Sequence, residues 1–587
     1  MHTRSRVLST LLLSTLAIAG CTRADTPAGA PAAVSADADF QKLSDEFVAD
    51  YLNRNPAAAT DLGVHDYDDQ LEDASRAAVE REVADYKRFR ARFAAIDPAH
   101  LSLANQLDLA QVIAAIDSHL LEDEVIRSWA RNPDVYSSSI TGTAYIMIKR
   151  SFAPPEVRLK ALVARERLML KTLEEGRKNL DNPPPVYTDI AIQQMDGNIG
   201  FFSQVVPSAF TDVKDPALLA DFKASNRAVI DALAQYKTFL QKDLKPRSKG
   251  TYAIGADTLE KKYRTDEMVD APLDRLLAIA EADLARNTDA FSKTASEIAP
   301  GKPAKQALAL VSSDHPAPSK LLEVSQASLD NLRQFITAHH LVTIPGTTPA
   351  KVVESPPFMR ALSTASMDTP GPFETKATEA YYNVTLPDPA WPKSRVDSYM
   401  RAWYFPQIIN VSIHEVYPGH YTQFLYGPQF PSKIRKIFGA ASNSEGWAHY
   451  CEQMMLDEGF APGDTKARLA QLQDALLRDV RFIAGIKLNT NQITVEQAQT
   501  LFEEKAFQEP PVALAEARRG TSNPTYGYYT LGKLMILKLR DDYRAKQGAA
   551  FTLQEFHDRF LKLGPLALPL IRRAMLGEAG DPLPATR

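Results

Sequence analysis

Cysteine is almost absent from this chain: Cys21 and Cys451 are the two in 587 residues. That rules out a disulfide framework as the source of stability, even in an oxidising compartment. Stability must come from core burial, and a 45% apolar chain of this length is ample for a sizeable core. A long apolar run is also missing. The strongest, Val7 to Ala17, is interrupted by Ser9, Thr10, Ser14 and Thr15 and falls well short of the ~20 residues a spanning helix needs. Charge of one sign is lacking too: 67 Lys and Arg face 72 Asp and Glu, a net charge of −5. No basic stripe stands out, so nucleic acid is not an expected partner. Neither G-x-S-x-G nor a Walker-type phosphate loop occurs, which argues against a nucleophile-elbow serine hydrolase and a P-loop NTPase. No internal repeat recurs at a fixed period.

The N-terminus does carry a signal. A short basic start, Met1 to Arg6, precedes the apolar run, in the manner of a secretory leader. Ile18-Ala19-Gly20-Cys21 resembles the bacterial lipobox, in which the cysteine becomes the lipidated first residue. Residues 1–21 are therefore expected to be a lipoprotein signal, with membrane attachment through Cys21. Thr22 follows the cysteine, and no retention signal is evident, so the expected location is the periplasmic side of the outer membrane. Residues 22–39, with almost no bulky apolar side chain, read as a flexible tether.

The body reads as mostly α-helical. Phe40, Leu43, Phe47, Val48 and Tyr51 recur at helical spacing. Similar patterns cover about 77–95, 105–126, 155–180, 216–240 and 272–298. Near residue 341 the pattern changes. Leu341 to Pro345, Ala350 to Glu354 and Ala380 to Leu386 look like short strands, the last being richest in aromatic and β-branched residues. Helix resumes from about Lys393. The expected division is a helical half, 40–335, and a catalytic half, 336–587, with a single compact fold as the alternative because no clear linker separates them.

Three of the eleven histidines, His414, His420 and His449, fall within 36 positions. The first opens His414-Glu415-Val416-Tyr417-Pro418-Gly419-His420, close to the H-E-x-x-H zinc signature, in which two histidines one turn apart hold the metal and the Glu acts as base. Here the second histidine comes two residues late. On an ideal helix six positions place it about 120° away from His414, too far to share an ion. Pro418 cannot continue the helix and Gly419 tolerates unusual dihedrals, so a break there would allow His420 to swing back.

Downstream, Ser444 to Glu452 reads as a second helix, with Glu445 lying 25 residues beyond His420. Two histidines, a glutamate and one open position make a catalytic zinc set. Zn2+ is thus the expected cofactor, with His414, His420 and Glu445 as ligands. His449 shares a face with Glu445 and is either a partner to a ligand, an alternative ligand or a locally bonded helix-face residue. Glu452 either orients a ligand or is a solvated helix charge. Cys451 lies away from Glu445 on that helix and reads as packing.

H-E-x-x-P-G-H-x-x-Q, ending at Gln423, followed by E-G-W-A-x-Y, ending at Tyr450, resembles the bacterial family called domain of unknown function 885 (DUF885). Asp61-Leu62-Gly63 and Val353 to Pro357 fit the same resemblance. It implies a mostly α-helical, zincin-like (gluzincin-type) metallopeptidase fold with a small β-sheet before the H-E-x-x-P-G-H helix. It also implies a C-terminal Arg, Pro and Tyr-x-x-Gly, matched by Arg519, Pro524 and Tyr529 to Gly532, with Tyr528 and Tyr526 as rival tyrosines. His449 stands where that family has an apolar residue.

The expected activity is a zinc metallopeptidase, of carboxypeptidase or oligopeptidase type, acting on a peptide or small amide. Glu415 would be the base that activates zinc-bound water. Tyr529 or Arg519 would stabilise the oxyanion. Arg519 has two other possible uses, holding a substrate carboxylate or a structural salt bridge. The strand 381–386 is either a core or edge strand or a site of peptide addition. Two other functions compete: hydrolysis of a non-peptide amide or ester, and peptide binding without catalysis.

Overall fold

The computed structural model describes residues 30–356, 360, 364–577 and 580–585. The expected signal and lipobox, 1–21, lie outside the described residues, as do 22–29 of the expected tether. The rest of that tether is corrected. Helix α1 runs Ala30–Arg54, ten residues earlier than its apolar repeat begins. Ala30, Ala32, Ala33, Ala36 and Ala38 are strong helix formers although alanine adds nothing to a pattern of bulky apolar residues. Asp37 accepts hydrogen bonds from the Ser102 N–H (3.0 Å) and Asn105 Nδ2 (2.7 Å), tying the segment to the body.

The chain is mostly helical with one small sheet. The other helices that frame the argument are α2 (Leu103–Leu120), α3 (Leu273–Ile298), α4 (Phe405–Glu415), α5 (His420–Phe424), α6 (Ala441–Asp457), α7 (Thr465–Asn489), α8 (Pro510–Ser522) and α9 (Tyr528–Gln547). The apolar repeats at 77–95, 155–180 and 216–240 correspond to helices Arg76–Ala94, Pro155–Asn179 and Pro216–Phe239. Among the described residues no helix is long and apolar enough to cross a membrane.

Helix α7 is the central rod. Asp464 caps its start by accepting from the Lys466 and Ala467 N–H groups. It is buried on most of its faces and packs along α3. Helices α6 and α9 cross beside it in backbone contact: a Cβ at Gly532 would fall 2.1 Å from the Ser442 carbonyl oxygen, and one at Gly446 would fall 2.5 Å from Gly532. The largest apolar cluster gathers Leu107, Tyr263, Leu332, Tyr382, Trp447, Phe482, Leu531 and Phe560, so it draws on residues from both sides of position 335.

Strands β1 (Lys351–Glu354), β2 (Ala365–Asp368) and β3 (Tyr381–Val384) form the sheet in the order β1-β3-β2. β1 runs parallel to β3, with Val353 opposite Asn383, and β2 runs antiparallel to it. β3 therefore has both edges filled, and peptide addition there is excluded. The expected strand at 341–345 is not one. Side chains take its backbone groups: Asp558 accepts from the Thr343 N–H (2.8 Å), His557 Nδ1 donates to Leu341 O (2.7 Å) and the Tyr426 hydroxyl to Thr343 O (2.8 Å). With those partners the segment needs no ladder. β2 was not foreseen, because Ala-Ser-Met-Asp has no β-branched or aromatic residue; pairing with β3 holds it.

A buried ion pair ties the N-terminal helices to the segment ahead of α6. Arg435 Nε donates to Asp108 on α2 at 2.5 Å, and its other nitrogens reach the Leu563 and Ala104 carbonyls. Both side chains are almost fully buried. Asp108→Ala strands the guanidinium without its counter-charge and should cost about 3–5 kcal/mol, read by urea denaturation.

Candidate metal centre

Helix α4 stops at Glu415. Val416 leaves helical geometry, the Tyr417–Pro418 peptide is cis, and α5 begins at His420. The chain doubles back at Gly419, whose N–H donates to Ile413 O at 3.0 Å. A Cβ at 419 would lie 1.8 Å from the His414 carbonyl oxygen, so only glycine fits this approach. Trp447 of α6 pins the turn by donating from Nε1 to Pro418 O at 2.9 Å. Gln423 donates to Asn443 Oδ1 at 2.8 Å, and Asn443 in turn donates to Leu566 O. The resemblance motifs thus hold α5 against α6.

The outcome is a convergence of side chains. The His414 and His420 rings stand nearly perpendicular, with centroids 4.8 Å apart. Glu445 Oε2 lies 3.5 Å from His414 Nε2 and 3.2 Å from His420 Nε2. One ligand atom from each of the three residues fits within 4.8 Å, a grouping able to hold a metal ion. Ligands ~2.0–2.2 Å from a four-coordinate ion stand roughly 3.3–3.6 Å apart; the 3.5 Å separation falls in that range and the 3.2 Å one just short of it. Glu445 keeps a quarter of its side chain exposed, so the group is open on one side.

His414 is oriented from behind. Its Nδ1 donates to Glu452 Oε1 at 2.7 Å, which leaves Nε2 facing Glu445. Glu452 is fully buried and is not a solvated helix charge. Arg478 of α7 pairs with it at 2.9 Å, and Asn410 Nδ2 and His449 Nδ1 each approach its Oε2 at 3.3 Å. Burial opposes the charge on Glu452, but the Arg478 guanidinium and the two histidines outweigh it and hold its carboxyl well below the usual range. Burial and the charge of Arg478 also work against a proton on His414; the hydrogen bonds to Glu445 and Glu452 overcome them and lift it to about 9. His449 does not join the metal-binding group. Burial and nearby Lys533 push its pKa down to about 3, so it is a neutral donor to Glu452. Cys451 is fully buried and free, as packing requires.

Glu415 stands next to His414, at the end of α4. Among the described residues its carboxylate makes no hydrogen bond or ion pair. Burial, with the Glu415 charge adding to it, raises the Tyr382 hydroxyl on β3 well above its ordinary value. Of the three rival tyrosines, Tyr529 is the one at the centre: its ring stacks on that of His414 at 6.4 Å, and its hydroxyl accepts from Arg519 Nη2 at 3.2 Å. Tyr528 is held by Asn523 Nδ2, and Tyr526 is buried against Gly520 and Gly485. A polar chamber of about 490 Å³ lies one helical turn away, lined by Ala441, Asn523 and Tyr528 among others. Ala441 shares a face of α6 with Glu445, and the rings of Tyr528 and Tyr529 are 4.9 Å apart.

The sequence reading missed Arg478, Arg481 and Asn410. The signal that could have found the arginines is charge within an apolar helical pattern: Arg478 and Arg481 sit among Leu476, Leu477, Val480, Phe482 and Ile483.

The match to the family model now carries the family. It is described as a bacterial protein of unknown function (DUF885), and it matches residues 56–575. This chain belongs to the DUF885 family. No curated protein matches it. Solved structures similar to it include two of like length. One, from Shewanella oneidensis, is described as "a putative lipoprotein of unknown function". It is 26% identical, has a TM-score of 0.76, and the match covers 92% of this chain and 99% of that one. The other, described as "the putative lipoprotein from Colwellia psychrerythraea", has a TM-score of 0.77 at 16% identity with the same coverage, and shows the fold alone.

Gly419→Ala drives a methyl group into the His414 carbonyl. The variant should lose about 1–3 kcal/mol in urea denaturation and bind added metal far more weakly than the parent, by isothermal titration calorimetry. Parental affinity in that variant would mean the turn does not set the ligand geometry.

Proposed function

We propose that this DUF885 protein is a zinc-dependent metallopeptidase carried on an exported, lipid-anchored chain. The observation that supports it most is the joint placement of His414, His420 and Glu445, with Glu415 beside them and without a partner among the described residues. Two imidazoles and a carboxylate are the donor set that suits zinc, and the open side leaves room for water and substrate. The anchor reading rests on Cys21 in its lipobox-like context and on the lipoprotein descriptions of the two similar structures.

Zinc bound by these three residues would act as a Lewis acid, lowering the pKa of a coordinated water and polarising the scissile carbonyl. The protein's own groups do the rest. Glu415 accepts a proton from the attacking water and hands it to the leaving amine. Its freedom from other partners leaves it available for both transfers. The Tyr529 hydroxyl donates to the oxyanion as it forms; burial and the charge of Glu445 raise its pKa above the ordinary value, so it keeps its proton. Arg519 fixes that hydroxyl by donating to it, and Glu452 fixes the tautomer of His414.

Two substitutions test this. Glu415→Gln should retain its zinc while release of amines from a mixed-peptide library falls ~10²–10⁴-fold; turnover at the parental rate would remove Glu415 from the base role. Tyr529→Phe should lower kcat ~10²–10³-fold with KM little changed. A zinc-loaded parent that releases amine from N-acyl amino acids but from no peptide would move the activity to non-peptide amides.

A further inference from the structure

Three arginines surround Tyr529, and they are not equivalent. The Arg478 and Arg481 guanidinium carbons lie 5.6 Å and 5.1 Å from the ring centre. Each has its own carboxylate: Arg478 pairs with Glu452, and Arg481 grips Glu516 through two bonds of 2.8 Å and 2.7 Å. Arg519 has none. Among the described residues it forms no ion pair, and its side chain makes a single hydrogen bond, from Nη2 to the Tyr529 hydroxyl. A guanidinium carries five N–H donors, and a coplanar pair of them matches the two oxygens of a carboxylate. The Nε and Nη1 of Arg519 have no partner among the described residues and are not sealed from solvent, so the half-buried guanidinium keeps two donors within reach of a ligand.

We propose that Arg519 is the clamp for the free C-terminal carboxylate of a peptide, and that the enzyme trims chains from that end. This rests on the hydrolase reading above. The position suits it. Tyr529 spans the interval, with its ring on His414 and its hydroxyl on Arg519. The His414 and Tyr529 ring centres are 6.4 Å apart and the Tyr529 hydroxyl is 3.2 Å from Arg519, so with successive Cα atoms about 3.8 Å apart one or two residues are enough to reach from a scissile bond at the histidines to a carboxylate at Arg519. The leaving product is therefore a single amino acid or a dipeptide. A mid-chain segment or an amidated end would put a neutral amide against the cation, which then has only the more distant Glu516, already held by Arg481, as counter-charge.

The test uses the zinc-loaded Glu415→Gln protein as a trap that binds without turnover. N-acetylated tripeptides ending in each of the twenty residues are offered as acids and as C-terminal amides, and bound peptide is measured by equilibrium dialysis. The acids should bind roughly 10- to 100-fold more tightly than the amides. Adding Arg519→Met should abolish the difference with zinc content unchanged, and Arg519→Lys should restore part of it. An Arg519 that merely props Tyr529 would change acids and amides alike. Equal binding of the two sets, a difference that survives Arg519→Met, or no binding of either overturns the clamp. Turnover by the parent separates the two readings. Acids bound but never hydrolysed sink the hydrolase and leave the clamp; acids and amides hydrolysed equally sink the clamp and leave the hydrolase.

Discussion

The backbone contact between Gly419 and the last turn of α4 comes first in the order of causes. The Gly419 N–H reaches Ile413 O, and its missing side chain lets the His414 carbonyl pass where a Cβ would stand. A continuous helix would point His414 and His420 to different sides. The doubled-back chain brings their rings together across one carboxylate. Everything argued about chemistry depends on that turn, and the turn depends on Trp447, whose indole N–H holds the Pro418 carbonyl.

The second constraint is electrostatic. Glu452 is a carboxylate with no exposed surface, which is tolerable only with partners on both oxygens. It has them in His414, His449, Asn410 and Arg478, drawn from α4, α6 and α7. Those helices are locked in register by the site's own polar contacts as well as by apolar packing. The α6–α9 crossing at Gly446 and Gly532 adds the last element. It brings α9 in close enough for Tyr529, one turn before Gly532, to lie on His414.

Much of this was legible in the sequence, for reasons that differ between elements. The long helices were visible because apolar residues recur at a fixed spacing, and His414, His420 and Glu445 because two histidines and a glutamate in that order are residue types able to hold a metal ion. The Pro-Gly pair announced a break, although only its contacts gave the direction of the fold-back. The start of α1 escaped notice because alanine forms helix without burying a large side chain. The segment 341–345 looked like a strand because Leu, Val and Ile dominate it, yet its carbonyls and N–H groups bond to His557, Asp558 and Tyr426, more than 80 residues away. Arg478 and Arg481 belong to no motif; their roles come from packing against α6, α8 and α9. Composition could not say which tyrosine faces the centre, whereas the stack on His414 does.

The measurement that bears most directly on the central claim is the zinc content of the purified protein by elemental analysis, beside His414→Ala, His420→Ala and Glu445→Ala. The account predicts about one zinc per chain in the parent, the stoichiometry of a single three-ligand site, and its loss in all three variants. A parent that contains no zinc and takes up none when it is added, or variants that keep the parental content, would contradict it.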